Sequence, residues 1–181
     1  HDACGVGLIA STEGKKSRAI VEYGIEALKA VWHRGAVDAD GKTGDGAGIH
    51  VEIPKDFFIE KIQVTGHDYD NSEICIGMIF LPRNDYSAQE NCKTIVESEL
   101  TKNNFSIYGW RQVPVNLKVS GEKALPTMPE IIQALFKSND PNLLDKNLEI
   151  KIYETRKRIE NKAFEASLNN FYICSISSKS I

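Results

Sequence analysis

Between positions 35 and 48 the chain reads Gly-Ala-Val-Asp-Ala-Asp-Gly-Lys-Thr-Gly-Asp-Gly-Ala-Gly, five glycines in fourteen residues. Each costs about 1 kcal/mol against alanine inside a regular element. No helix or strand can therefore run through this stretch, and the chain must be organised on either side of it. A loop so rich in glycine lies where one backbone closely approaches another backbone or a ligand. The same holds for a shorter run near the start, Cys4-Gly5-Val6-Gly7. There Cys4 reads either as a buried core thiol, the commoner state of a free cysteine, or as a nucleophile. It stands at the head of a short apolar strand, residues 8–10, closed by the turn residues Ser11, Thr12, Glu13 and Gly14.

Between the two glycine runs, Ser17 is placed as an N-cap and Ile20, Val21, Ile25, Leu28, Val31 and Trp32 recur at helical spacing. That pattern predicts an amphipathic helix to about residue 33, stopped by Gly35. Past the loop, residues 49–53 alternate as a half-buried strand, Pro54 opens a short helix through Phe57, Phe58 and Ile62, and residues 63–72 form a polar loop. Residues 74–81 are a near-continuous apolar strand ended by Pro82. Residues 86–103 form a helix with Cys92, Ile95, Val96 and Leu100 on one face, and residues 105–115 a strand. Further on, the pattern predicts a short helix over 130–136, a strand over 148–153, a charged helix over 154–167 and a last strand over 171–177. Helices and strands of similar weight, not strictly alternating, indicate a layered α+β fold, and 181 residues suffice for one domain.

Charge excludes several classes of function. Lys and Arg number 22 against 25 Asp and Glu, interspersed, for a net charge of −3. Such a surface offers no footprint for nucleic acid or for an anionic membrane. The longest apolar run is strand-sized and too short to span a bilayer, and the first residues lack the pattern of a signal peptide. The four cysteines, Cys4, Cys75, Cys92 and Cys174, form no Cys-x-x-Cys pair, which argues against a zinc or cluster site and for free thiols in a reducing compartment. Cys75, Cys92 and Cys174 lie in apolar segments and are expected to be buried and inert. No initiator methionine opens the chain and its last strand is cut soon after it begins, so it reads as a fragment.

The glycine-rich loop passes neither nucleotide nor metal criteria. A phosphate-binding loop needs four residues between its glycines, a strand before and a helix after; here five residues separate Gly35 from Gly41, a helix precedes and a strand follows. A calcium loop starting at Asp38 would have Lys42, Thr43 and Ile49 at positions reserved for a ligand, a glycine and a bidentate glutamate. The loop is expected to be the wall of a site. His33 could serve as base to a cysteine, although a histidine at a helix C-terminus is equally served by the dipole. Cys4 has an alternative base. Were the bond before it cut, its own α-amine, with an ordinary pKa of about 8, could take the thiol proton.

The chain resembles the class II glutamine amidotransferase domain of glutamate synthase large subunits. The motifs that carry the resemblance are Cys4-Gly5-Val6-Gly7 after His1-Asp2-Ala3, then Trp32-His33-Arg34-Gly35-Ala36, then Thr43-Gly44-Asp45-Gly46-Ala47-Gly48-Ile49. Gly109-Trp110-Arg111-Gln112-Val113-Pro114, Thr127-Met128-Pro129, Arg156-Lys157-Arg158-Ile159-Glu160 and Phe171-Tyr172-Ile173-Cys174-Ser175 fit in the same order. The resemblance implies an N-terminal nucleophile (Ntn) hydrolase fold, a four-layer αββα sandwich that is C-terminally incomplete here. Residues 1–3 would be a propeptide remnant and residues 4–181 the N-terminal part of the domain. Cys4 would attack the side-chain amide of L-glutamine, releasing ammonia and leaving a glutamyl thioester, with Arg34 and Gly35 shaping the pocket. The oxyanion hole and the groups that anchor glutamine would come later than Ile181. No cofactor is implied for this stretch, whereas FMN and an iron–sulfur cluster are implied for the complete subunit. Implied partners are the FMN-bearing synthase domain of the same chain, where ammonia meets 2-oxoglutarate, and a small electron-donating subunit. The implied location is the cytoplasm, or the plastid in a plant-type parent. The competing readings are a non-catalytic assembly or ammonia-channelling module of the same fold, and a P-loop-like nucleotide-binding domain.

Overall fold

An apolar run without alternation has to be covered on both faces, and residues 74–81 form an interior strand covered on both. A computed structural model of the chain describes residues 5–181. In order, its main elements are α1 (Arg18–Ala30), α2 (Lys55–Val64), β1 (Ile74–Leu81), α3 (Tyr86–Lys102), β2 (Phe105–Gln112), β3 (Glu130–Ser138), α4 (Asp145–Glu165) and β4 (Tyr172–Ser177). They fall into two units, one of residues 52–114 and 129–181, the other of the residues up to 51 together with 115–128.

The first unit is built on an antiparallel sheet of order β2-β3-β1-β4. Because side chains alternate along a strand, Cys75, Ile79 and Leu81 of β1 face one side with Ile132, Ala134 and Phe136 of β3, and there α3 and α4 close the core with Val96, Leu100, Leu148 and Ile152. On the other face Ile74, Ile76 and Leu135 meet Phe58 and Ile62 of α2. Asp85 caps α3 by accepting a hydrogen bond from the Ala88 N–H at 2.9 Å. α4 is tied to β4 by Arg156, whose Nη2 donates to the Ile173 carbonyl at 2.7 Å. Glu149 holds the turn after β4, accepting from the Ser177 hydroxyl at 2.9 Å and from the Ser178 N–H and hydroxyl at 2.7 Å each.

Four sequence expectations are corrected in this unit. Residues 130–136 are the middle of β3 and not a helix; an apolar run of that length fits either element, and here neighbours on both sides supply ladder bonds. Residues 148–153 belong to α4 and not to a strand. Leu148, Ile152, Thr155, Ile159 and Ala163 are buried, a stripe at helical spacing, while Ile150 is 47% exposed. The alternation over 148–153 was the start of that stripe. Residues 49–53 are no strand, although Glu52 bridges Ser180 and the Ile53 N–H donates to the Lys179 carbonyl at 3.0 Å. Cys174 is exposed and not buried: the β1–β4 register slips between Met78 and Ile79, which leaves Cys174 at the bulge.

In the second unit α1 follows Ser17 as expected and ends at Ala30, three residues short of the expected end, before a 3₁₀ turn over Trp32–Arg34 that stops at Gly35. No residue of α1 is buried. Residues 8–10 are not the expected buried strand; Leu8 is 89% exposed. A strand persists only where a neighbour pairs with its backbone, and no bridge to residues 8–10 occurs among the described residues of this unit.

Candidate active site

Cys4 lies outside the described residues. Its neighbour Gly5 is placed against the end of α1, where a methyl group at position 5 would stand 3.7 Å from Val31 Cγ2. The next three residues form the 3₁₀ turn, closed by the Gly35 N–H donating to the Trp32 carbonyl at 3.0 Å. Gly5 is thus placed beside Val31, just ahead of the turn that holds His33, Arg34 and Gly35; the Arg34 side chain lies outside the described part. His33 is exposed, with Nδ1 3.1 Å from the Ala30 carbonyl, a contact in which the ring can only donate. It sits as a helix-end histidine.

Directly after Gly35 the glycine-rich loop folds into a tight hairpin. Val37 bridges Gly44, the Asp38 N–H donates to the Thr43 carbonyl at 2.7 Å, and the Gly41 N–H donates to the Asp38 carbonyl at 2.9 Å. At the base, Ala36 donates its N–H to Asp45 Oδ2 at 2.9 Å and accepts at its carbonyl from the Asp45 N–H at 3.2 Å. Glycine is required at 44, because a Cβ there would stand 2.8 Å from the Ala36 carbonyl oxygen. At the tip the Asp40 carboxylate collects the N–H groups of Lys42 and Thr43 at 3.0 and 2.7 Å and the Thr43 hydroxyl at 2.5 Å. The Thr43 hydroxyl and these backbone donors hold the Asp40 carboxyl well below the usual carboxylate range.

Residues 115–128 of the same unit close over the hairpin tip. Gly121 is packed so tightly that a Cβ would overlap the Thr43 hydroxyl and stand 2.5 Å from the Thr43 nitrogen. Lys123 donates its N–H to Asp40 at 3.5 Å and its ammonium to Asp38 at 2.5 Å. The carboxylates that made the loop look like a cation site thus accept hydrogen bonds from their own chain, and no group of three or more His, Cys, Asp and Glu among the described residues could hold a metal ion. Sequence reasoning found the loop but missed Gly121 and Lys123. Ser120-Gly121 reads as a turn, and nothing local says that the turn lies on Thr43.

The other thiols differ from one another. Burial pushes the Cys75 thiol far up, and burial raises Cys92 to about 11. Both are neutral and sealed in the α3/α4 core, which denies them the thiolate character that a nucleophile needs. Cys174 is accessible, on the outer strand β4.

Comparison with known proteins yields one consistent result. The family described as Glutamine amidotransferases class-II matches residues 4–181. Over 181 residues the chain is 53% identical to the glutamate synthase [NADPH] large chain of Azospirillum brasilense, covering 100% of this chain and 12% of that protein. It is 37% identical to the chloroplastic/mitochondrial ferredoxin-dependent glutamate synthase 1 of Arabidopsis thaliana, covering 99% of this chain and 11% of that protein. A chloroplastic ferredoxin-dependent glutamate synthase of Spinacia oleracea is 36% identical, with the same coverage. The chain therefore spans about an eighth of the length of the curated relatives it matches.

Proposed function

Because the chain belongs to the class II glutamine amidotransferases, we propose that it is part of the glutaminase of a glutamate synthase, hydrolysing L-glutamine through Cys4 to glutamate and ammonia. The observation that carries this is the convergence in one unit of Gly5, next to Cys4, with the turn that ends in Arg34 and Gly35. With residues 1–3 removed, the free amine of Cys4 takes the thiol proton. The sulfur adds to the glutamine side-chain carbonyl carbon, that proton leaves with ammonia, and water then cleaves the thioester. Arg34 and Gly35 line the glutamine pocket, and the loop over 38–48, which includes most of the hairpin, is its wall.

The finer fold is the four-layer αββα sandwich. In its support, Ile53 and Ile181 join the core on the α2 face of the sheet, and Glu52 pairs with Ser180 in an isolated antiparallel bridge outside the four strands. FMN and an iron–sulfur cluster would sit in the synthase part of the same protein and supply redox chemistry where ammonia would meet 2-oxoglutarate, and in some parents a small subunit would donate the electrons. Among the described residues Cys75 and Cys92 are core thiols and no set of ligands for a metal converges. No step in this stretch runs through FMN or the cluster. The proposed location is the cytoplasm, or the plastid in a plant-type parent; no helix among the described residues is long and apolar enough to cross a membrane.

The test uses the full-length protein. N-terminal sequencing of active enzyme should begin at Cys4, and a glutamine-like electrophile should label that residue. Cys4→Ala should abolish glutamine-dependent glutamate formation while ammonia-dependent formation persists. Active enzyme that retains Ala3 would refute the free-amine mechanism, and Cys4→Ala with undiminished glutamine-dependent turnover would refute the assignment of Cys4 and favour a non-catalytic module.

A further inference from the structure

The hairpin that follows Arg34 and Gly35 is shaped, among the described residues, by polar contacts and by close glycine packing. The buried apolar core belongs to the other unit, and α1, the helix leading into the hairpin, has no buried residue. What fixes the hairpin is a chain of contacts with two ends. At the base, Asp45 Oδ2 accepts from the Ala36 N–H and would stand 3.9 Å from a Cβ on Gly35. At the tip, Asp40 gathers Lys42, Thr43 and Lys123, and Gly121 leaves no space between itself and Thr43. A two-stranded ribbon is marginal by itself, and the Val37–Gly44 bridge with the Asp38 N–H bond to the Thr43 carbonyl joins its tip to its base, so a displaced tip carries the base with it.

We propose that Thr43, Asp40 and Gly121 form a lock whose task is to position the Arg34–Gly35 segment for glutamine. They are positioning residues, acting on the pocket through the hairpin and not at the reacting atoms. This inference rests on the pocket assignment made above. The lock lies outside the buried core, so loosening it displaces the pocket wall without unfolding the domain. A displacement of this kind is felt as weakened binding of the substrate that the wall contacts. The thioester chemistry at Cys4 and the ammonia-dependent reaction are untouched.

The experiment compares three variants in the full-length protein. Gly121→Ala drives a methyl group into the Thr43 hydroxyl and nitrogen. Thr43→Val keeps the shape of the side chain and removes the hydroxyl that donates to Asp40, and Thr43→Ser restores that hydroxyl. Gly121→Ala and Thr43→Val should each raise the glutamine KM roughly tenfold, with kcat at saturation within about twofold of the parent. Ammonia-dependent synthesis should be unchanged and Thr43→Ser should match the parent. If Gly121→Ala gives no soluble protein, Thr43→Val decides by the same measurements. An unchanged glutamine KM in Thr43→Val, or a Thr43→Ser as impaired as Thr43→Val, overturns the lock. Cys4→Ala is the control for the underlying assignment. Loss of glutaminase in Cys4→Ala with no KM effect in the lock variants refutes the lock alone, whereas glutaminase retained by Cys4→Ala removes the pocket assignment and the lock with it.

Discussion

Gly109→Ala probes the joint between β2 and the loop after α2, and its cost can be worked from the geometry. Gly109 has φ +146°, and a Cβ there would stand 2.9 Å from Thr65 Cγ2 and 3.3 Å from Thr65 Cβ. Thr65 cannot simply swing aside. It is β-branched and so restricted at χ1, and its hydroxyl donates to the Ile62 carbonyl at 2.6 Å. Alanine in a backbone region that L residues rarely adopt costs about 1–3 kcal/mol. Forcing Thr65 off its rotamer adds about 0.5–1.5 kcal/mol, and losing its hydrogen bond adds about 0.5–1.5 kcal/mol. The sum is about 2–6 kcal/mol, or at least about thirtyfold less protection of β2 and β3 amides in native-state hydrogen exchange. Gly77→Ala is the matched control: a Cβ there meets Ala134 and Ile176 at an ordinary 3.6 Å and φ is not positive. Its effect should lie between neutral and about 1 kcal/mol stabilising. Thr65→Ser keeps the hydroxyl and removes Cγ2, so in that background Gly109→Ala should cost only the backbone share, about 1–3 kcal/mol. Equal protection in Gly109→Ala and Gly77→Ala, or no relief from Thr65→Ser, would show the reasoning to be wrong.

Three further outcomes are expected. Leu148→Ala, at a fully buried position, should cost about 2–5 kcal/mol, while Ile150→Ala should change stability by no more than about 0.5 kcal/mol; equal losses at both would contradict the helical stripe. On native protein a maleimide should react with Cys174 and leave Cys75 and Cys92 unmodified until unfolding, as mass spectrometry of the labelled peptides can check. The Lys137 ammonium, with further bonds from Ser72 and Tyr108, holds the Asp70 carboxyl well below the usual range. A lowered folded pKa stabilises fully above the unfolded value of about 3.9 and is lost as pH falls through the folded one. Exchange protection of residues 65–72 should accordingly hold down to about pH 4 and decline below it, and Asp70→Asn should flatten that decline; a decline of the same size in the variant would remove Asp70 as its cause.

The parts of the fold that sequence revealed are those whose cause is local. β1 is apolar on both faces because it is interior, and residues 74–81 say so without reference to any partner. α3 announces its face at Cys92, Val96 and Leu100. The misreadings occurred where two elements share a local signature. An apolar run over 130–136 and an alternation over 148–153 each fit helix or strand, and the choice is made by what packs across from them: β1 and β2 beside β3, and the sheet beneath α4. Cys174 follows the same logic. Its residue type and strand setting favour burial, and a one-residue slip in pairing with β1 exposes it.

At the candidate site the division falls between composition and closure. Five glycines identify residues 35–48 as a loop that something approaches, yet what approaches Thr43 is Gly121, and no periodicity links two positions so far apart in the chain. Asp40 illustrates the consequence for reading acidic loops. Asp38-Ala39-Asp40-Gly41 resembles a cation loop by residue type, but a carboxylate can equally be satisfied by backbone N–H groups, and here Asp40 takes its donors from Lys42, Thr43 and Lys123. A lowered carboxyl pKa at such a place is therefore the signature of a structural cap as much as of a ligand site. Substitution separates the two. If Asp40 is a cap, asparagine, which retains one acceptor oxygen but not the charge, should keep the hairpin at neutral pH and weaken the acid dependence of its exchange protection, whereas alanine should loosen the hairpin at every pH.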